Sequence, residues 1–170
     1  MPRKNKRQNI CMRQTKEEYL MSLAEQVSTR ATCKKRKVGC VIARDGRILT
    51  AGYNGSPSGM PHCEDAGCEL ENKKCVRCIH AELNAICQAA KFGINIDGGE
   101  LFCTDMPCYS CAKAIAQCGI ISVYAMADRK EDARIKKLFK KKNIVLIING
   151  KMLSNDDNQS TIEKYILKVK

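Results

Sequence analysis

Two short segments carry the most specific chemistry in this sequence: His80-Ala81-Glu82 and Pro107-Cys108-Tyr109-Ser110-Cys111. Together they supply one imidazole, two thiolates and a carboxylate with no ligand duty. An imidazole with two thiolates suits Zn2+, which is usually four-coordinate and tetrahedral. Three protein donors leave one position open, and that vacancy separates catalytic zinc from the closed structural kind. Water at such a position loses its proton near neutral pH, and a nearby carboxylate is the group to carry that proton. The expected ligands are therefore His80, Cys108 and Cys111, with Glu82 as general acid and base.

The spacing also predicts the elements that hold these groups. Residues i and i+2 point far apart around a helix, but in its first turn both can face one cavity, with the positive end of the dipole aimed into it. Cys108 and Cys111, three apart, share one face of a first turn. Pro107 suits the start of that helix, and helix N-termini lower the pKa of thiols placed there. The plainer alternative makes Cys108 and Cys111 half of a structural zinc site, with His80 in the core.

Twelve cysteines in 170 residues would fit a secreted disulfide scaffold. Against this, the start of the chain lacks the apolar stretch of a signal peptide, and no run is long enough to cross a bilayer. Reduced thiols in a cytoplasmic protein, several of them on metal, fit better. Cys63, Cys68, Cys75 and Cys78 crowd one polar loop, where Cys75-Val76-Arg77-Cys78 forms a C-x-x-C, and Cys33 precedes the first strand. A closed four-cysteine zinc site within the loop is one arrangement. Cys11, Cys40, Cys87, Cys103 and Cys118 are expected as core or surface thiols, with Cys40, Cys87 and Cys103 packing as small hydrophobes.

Apolar periodicity orders the remainder. Residues 1–14 lack it and are expected to form a flexible basic arm, with residues 15–170 making a single domain. Lys16 to Arg30 reads as a helix with Tyr19, Leu20, Leu23, Ala24 and Val27 on its buried stripe. Val38 to Ala43 and Arg47 to Tyr53 read as strands joined by an Asp45-Gly46 hairpin turn. Residues 54 to 78 form a long loop, which in a compact domain implies function or metal. His80 to Phe92 reads as a helix with Leu83, Ile86, Cys87 and Ala90 inward and Gly93 as its C-cap. Then follow a strand (Glu100 to Thr104), a helix (Cys108 to Cys118), a strand (Ile121 to Ala127), a helix (Glu131 to Lys142) and a strand (Asn143 to Ile148). A last helix over Thr161 to Lys168 is expected to dock at the end. This alternation predicts an α/β protein with helices packed on the faces of a sheet.

The formal net charge is +12. Such a balance favours anionic partners: nucleic acid, a membrane surface or phosphorylated small molecules. The charge gathers in the opening Arg3, Lys4, Lys6, Arg7 and Arg13, in Lys34 to Lys37, and in Lys136, Lys137, Lys140, Lys141 and Lys142. The last group reads as the solvated face of a helix.

Beyond the zinc-type pattern, several segments resemble the deoxycytidylate branch of the cytidine and deoxycytidylate deaminase superfamily. They are Arg30-Ala31-Thr32-Cys33 with Val38-Gly39-Cys40-Val41-Ile42, Gly52-Tyr53-Asn54-Gly55-Ser56-Pro57, Pro61-His62-Cys63, His80-Ala81-Glu82-Leu83-Asn84-Ala85-Ile86, and Thr104-Asp105-Met106-Pro107-Cys108-Tyr109-Ser110-Cys111-Ala112-Lys113. The resemblance covers roughly residues 16 to 126. It implies a three-layer α/β/α cytidine-deaminase-like fold around a mixed five-stranded sheet, in a homo-oligomer, with a hexamer favoured. It implies hydrolysis of dCMP to dUMP and ammonia, supplying dUMP for thymidylate synthesis, with dCTP to dUTP as a further reaction. Glu82 would move protons between the attacking water, the ring N3 and the departing amine.

Further roles come from the same resemblance. Asn54 would hydrogen-bond the nucleotide's sugar or phosphate, although Asn54-Gly55 alone reads as a turn. Ser56 and Ser58 would be weaker phosphate contacts. Lys91 would sit at a subunit contact linked to nucleotide regulation, with dCTP and dTTP as effectors and Mg2+ accompanying the effector. A second zinc would fall on Cys33, Cys63, Cys68 and Cys75, with Cys78 as the alternate ligand.

Two other readings compete. A polynucleotide deaminase, acting on tRNA adenosine or DNA cytosine, would use the positive charge. The absence of tryptophan and the few aromatics argue against a platform for stacking splayed bases. A zinc-stabilised nucleic-acid-binding module without catalysis would leave Glu82 unexplained. No membrane partner is expected.

Overall fold

The computed structural model describes residues 13–126 and 132–152. The chain enters through α1 (Lys16–Ser28), which starts at a capping box: Thr15 Oγ1 accepts from the Glu18 N–H at 3.1 Å, and the Thr15 N–H donates to Glu18 Oε2 at 2.9 Å. A hairpin follows, β1 (Gly39–Arg44) and β2 (Arg47–Tyr53). Asp45 and Gly46, at φ of 52° and 73°, supply the two left-handed residues that a tight turn of this hand requires. The expected long loop holds a four-residue helix, α2 (Cys63–Ala66), and a small hairpin, β3 (Leu70–Glu71) with β4 (Lys74–Cys75).

From there the alternation read in the sequence holds. In order come α3 (Ala81–Phe92), β5 (Glu100–Cys103), α4 (Tyr109–Gln117), β6 (Ser122–Ala125), α5 (Ala133–Lys141), β7 (Val145–Ile148) and β8 (Lys151–Met152). The main sheet runs β2-β1-β5-β6-β7-β8. β5, β6 and β7 are parallel, while β2, β1 and β8 pair antiparallel with their neighbours, so the sheet is mixed as expected. It has six strands, where five were expected. Asn149-Gly150, at φ of 48° and 72°, turns β7 back into β8; asparagine-glycine is a strong hairpin signal, and it adds the extra strand. The basic arm through residue 12, the start of the expected helix at Glu131, Ala127 and the helix expected over Thr161 to Lys168 lie outside the described residues.

The helices form two outer layers. On one face Leu20 and Ala24 of α1 pack on Val41, Ala43 and Phe102. On the other, Ala81, Ala85, Ala112, Ile115, Ile135 and Phe139 of α3, α4 and α5 pack on Cys40, Ile42, Leu101, Cys103, Leu146 and Ile148. β1 shows the period of two cleanly, sending alternate residues to opposite layers.

The stripe on α3 differs from expectation. Ala81, Ala85 and Ala89 are its buried apolar residues, whereas Cys87 and Ala90 are exposed and Leu83 and Ile86 half-buried. The reason is proximity. A Cβ on Gly52 would lie 2.3 Å from Ala85 N and 2.5 Å from Ala81 O, so strand and helix backbones nearly touch. Only small residues fit that seam; Ile86 packs against the core at its edge, and Leu83 lines the cavity by the helix start. The close approach fixes where the N-terminus of α3 falls. On α1, Tyr19 is likewise half-exposed rather than buried, at 46%.

Candidate active site

His80 is the N-cap of α3 and Cys108 the N-cap of α4. Both helices spring from loops at the same end of the sheet. Cys108 Sγ lies 3.5 Å from His80 Nδ1, Cys111 Sγ 3.4 Å from the same nitrogen, and the two sulfurs are 3.5 Å apart. A tetrahedral zinc held by one nitrogen and two sulfurs requires edges of roughly 3.5–3.8 Å, from the usual Zn–N and Zn–S bond lengths. This triangle is close to that size, and its donor set matches the metal.

The electrostatics agree with a divalent cation at this point. The hydrogen bond from Cys111, with another from His80, brings the Cys108 thiol down to about 3. Its Sγ also accepts from the Cys111 N–H at 3.5 Å, as an N-cap side chain does. Cys111 is pushed the other way by Cys108 and by burial, so a proton is retained between the two sulfurs. A cation taking both as thiolates replaces that proton.

Glu82, in the first turn of α3, is 4% exposed. Its carboxyl group hydrogen-bonds Cys111 and interacts electrostatically with His80 and Cys108. Burial raises its pKa above the ordinary value, against the lowering effects of its own backbone N–H, His80 and Cys111. The acid thus stands against the ligand triangle.

The triangle opens on a cavity of about 960 Å³. Its wall includes Asn54, Asp105 and Tyr109, and its rim carries Lys35, Arg36, Lys73 and Arg134. Two of those cations are paired: Arg36 Nη1 lies 2.8 Å from Asp105 Oδ2, and Arg134 Nη2 lies 2.6 Å from Asp132 Oδ2. The Arg134 guanidinium also sits over the Tyr109 ring, 4.7 Å from its centroid. Apart from Asn54, these rim and wall residues were not singled out in the sequence. The Lys34-to-Lys37 run was noticed only as charge, and its position at the mouth follows from the turn between α1 and β1. Asp105 and Tyr109 lay inside a segment quoted for its cysteines.

The other expected contacts fall unevenly. Asn54 lines the cavity, but its amide also clamps the preceding loop, with Oδ1 accepting from the Val38 N–H at 2.8 Å and Nδ2 donating to the Arg36 carbonyl at 2.9 Å. Each end keeps capacity for one more hydrogen bond. Ser56 and Ser58 are not among the cavity's lining residues. Lys91 lies in the last turn of α3 with its Nζ 5.5 Å from the Phe92 ring centroid, and Phe92 is 66% exposed.

A second cluster forms in the cysteine loop. Cys63, Cys75 and Cys78 offer sulfurs within 4.8 Å of one another; Cys63 to Cys78 is 3.3 Å and Cys63 to Cys75 is 3.7 Å. Cys68 lies near enough to influence the Cys63 and Cys75 thiols, and Cys33 acts on Cys78 electrostatically. Of the five expected cysteines, the tight triplet holds Cys63, Cys75 and the alternate Cys78, and leaves out both Cys33 and Cys68. Burial works to raise the Cys75 thiol, yet the backbone N–H groups of Arg77 and Cys78, with Cys63 and Cys68, bring it down to about 7. The eleven described cysteines are all free thiols.

A mixed sheet between two helical layers, with an imidazole, two thiolates and a buried acid at two helix N-termini, defines a zinc-type hydrolytic centre. The family model described as the cytidine and deoxycytidylate deaminase zinc-binding region matches residues 14–127, and the chain belongs to that family. ComE operon protein 2 of Bacillus subtilis is 41% identical over 129 residues, covering 76% of this chain and 68% of that protein. The deoxycytidylate deaminase of Saccharomyces cerevisiae is 34% identical over 142 residues, covering 79% of this chain but only 45% of its own length. A crystal structure of dCMP deaminase from the cyanophage S-TIM5, in complex with dCMP and dUMP, superposes with a TM-score of 0.70 at 36% identity, covering 81% of this chain and 98% of that one.

Proposed function

We propose that this chain hydrolyses dCMP to dUMP and ammonia. The observation that carries the reading is the buried Glu82 carboxyl beside the His80, Cys108 and Cys111 triangle, at the wall of an open cavity with a basic rim. The activity of the cyanophage and yeast dCMP deaminases, to which the chain is similar, supports it.

His80, Cys108 and Cys111 would hold zinc, which supplies the Lewis acidity that makes water a nucleophile at neutral pH. Glu82 accepts the proton of that water and passes it to N3 of the cytosine ring as C4 is attacked. It then takes the remaining proton of the hydroxyl added at C4 and delivers it to the amino group; the C4–N bond breaks, C4=O forms, and ammonia leaves. The raised pKa of Glu82 suits a group that must both take and give a proton near neutrality. Lys35, Lys73 and Arg134 at the rim offer positive charge to a 5′-phosphate, and Asn54 offers its remaining donor and acceptor to the nucleotide.

The same reading includes a second, closed zinc on Cys63, Cys75 and Cys78 with Cys68 beside them, supported by their convergence. It also includes a homo-oligomer, favoured as a hexamer, in the cytoplasm, with dCTP and dTTP as effectors accompanied by Mg2+. The exposed Phe92 next to Lys91 supports a subunit contact there.

The test is a panel of dCMP, dCTP, CMP, deoxycytidine and a single-stranded DNA oligomer, followed by ammonia release with dCTP and dTTP added in turn. Highest kcat/KM on dCMP is the expected outcome. Faster release from the oligomer would replace this reading with a polynucleotide deaminase.

A further inference from the structure

Asn54 is buried, and the segment between α1 and β1 wraps around it. That segment contains no helix or strand. The Asn54 N–H donates to the Val38 carbonyl at 3.1 Å, and the Asn54 carbonyl accepts from the Thr32 N–H at 3.2 Å. These bonds add to the side-chain contacts with the Val38 N–H and the Arg36 carbonyl. Arg36 is therefore held at both ends. Its carbonyl takes the Asn54 amide, while its guanidinium reaches across to Asp105. Asp105 is anchored in turn, with Oδ1 accepting from the Met106 N–H at 3.0 Å.

Topology gives this series of contacts its span. Asn54 follows the last residue of β2, Val38 precedes the first of β1, and Asp105 lies just past the end of β5. Those three strands are neighbours in the sheet. The contacts thus cross three strand ends, and Arg36, Val38, Asn54 and Asp105 all line the cavity. A loop without a ladder of its own opens easily unless side chains tie it down. The Arg36–Asp105 pair ties this one to the β5 side. A second use of Arg36, as a phosphate ligand, is opposed by its partner: withdrawing a cation from a buried carboxylate is costly. Lys35, exposed beside it, can meet a phosphate without that loss.

On the reading of the cavity as a nucleotide site, we infer that Arg36 and Asp105 are positioning residues, an ion-pair strap that holds Asn54 with its spare donor and acceptor facing the substrate. Neither touches the nucleotide; both act through the asparagine.

Steady-state kinetics on dCMP with Asp105→Asn, Arg36→Ala and the double variant test this. Asp105→Asn keeps an acceptor for the Met106 N–H and removes the charge. It should raise KM roughly 3–10-fold, the scale of one lost hydrogen bond. Its kcat should hold, because His80, Glu82, Cys108 and Cys111 stand on α3 and α4. Arg36→Ala should behave alike, and the double variant should be no worse than the poorer single one. Arg36→Lys keeps the pair and should restore the parent KM. Exchange of the Val38 amide, followed by mass spectrometry, needs no substrate and reports the Asn54 clamp directly. It should run roughly threefold faster or more in Asp105→Asn and Arg36→Ala. A KM that rises with Arg36→Ala but holds or falls with Asp105→Asn would make Arg36 a phosphate ligand and overturn the proposal. Effects that multiply in the double variant would do the same, as would a Val38 amide exchanging equally in Asp105→Asn and the parent. A parent inactive on dCMP would sink the nucleotide reading, and the amide exchange would still decide the strap.

Discussion

The two thiol clusters lie on the same cavity yet are built differently. His80, Cys108 and Cys111 hang from the first turns of two long helices whose backs are in the core. Cys63, Cys75 and Cys78 hang from a four-residue helix, a two-residue strand and the loop after it. The first cluster has a buried carboxyl group against it; the second is gathered from sulfur alone, with Cys68 adjoining. Scaffold and chemistry go together. Helices and sheet position the first triangle with or without a metal, while the loop is closed by its thiols, a two-residue hairpin and a bridge between Gly55 and Ile79. On the proposed reading, a metal at the first cluster would serve reaction, and a metal at the second would serve folding.

The largest expected effect removes the acid and nothing else. Glu82→Gln should lower kcat roughly 10²–10⁴-fold, the usual range for general acid–base catalysis, with zinc content unchanged by metal analysis. A variant retaining turnover would erase the chemical distinction between the clusters. The same change carries a signed stability effect. Burial holds Glu82's folded pKa above 4.5, so the folded state keeps a proton that the unfolded chain has lost. That stabilisation is complete below 4.5 and is lost as pH rises through the folded value. In the chelated protein near pH 7, Glu82→Gln should therefore melt higher than the parent, and the two should converge at pH well below 4.5.

Exchanging single thiols separates the scaffolds. Cys108→Ser should abolish activity and one zinc while leaving the melting midpoint nearly in place. Cys63→Ser should cost about 2 kcal/mol or more, a fall of roughly 4–8 °C for a chain of this size, because Cys63 is fully buried and bonded to both partners. Equal midpoints for the two variants would mean that the loop cluster holds no structural metal.

Gly52→Ala probes the helix scaffold from behind. The added methyl meets the α3 backbone at 2.3 Å, where nothing flexible can yield. Overpacking of this kind costs about 1–3 kcal/mol, and α3 carries His80 and Glu82 with it. Differential scanning should show the loss, and kcat should fall with KM for dCMP little changed. The loop cysteines should keep their metal.

How much of this was legible in sequence follows from the same contrast. The helix-borne site could be read because H-x-E and P-C-x-x-C are local: each segment needs only its own helix start to place its side chains. The strands and helices were legible from periodicity, to within a few residues at their ends. Three features were not. The inward stripe on α3 was misread because apolar size pointed to Leu83 and Ile86, whereas a glycine on another strand dictates alanines. The sixth strand depended on Asn149-Gly150, a turn signal followed by only two paired residues. Arg134 reaches the cavity through α5, far along the chain from the motif.

The smallest effect concerns the rim that both clusters share. Lys35 is exposed, and its charge acts on the cavity mouth at a distance. Lys35→Ala should raise KM for dCMP by roughly 2–5-fold, the scale of an exposed charge interaction, and leave KM for deoxycytidine unchanged. Arg134→Ala should act in the same direction. Arg36→Ala is a poorer probe: it removes one partner of Asp105, whose side chain is only 6% exposed, and so perturbs the wall as well as the charge. Because exposed charges are screened, the penalty from Lys35→Ala should shrink as salt rises towards 0.5 M, where the screening length is about 4 Å. An equal rise in KM for nucleotide and nucleoside would move the phosphate away from this rim, leaving the acid and its triangle untouched.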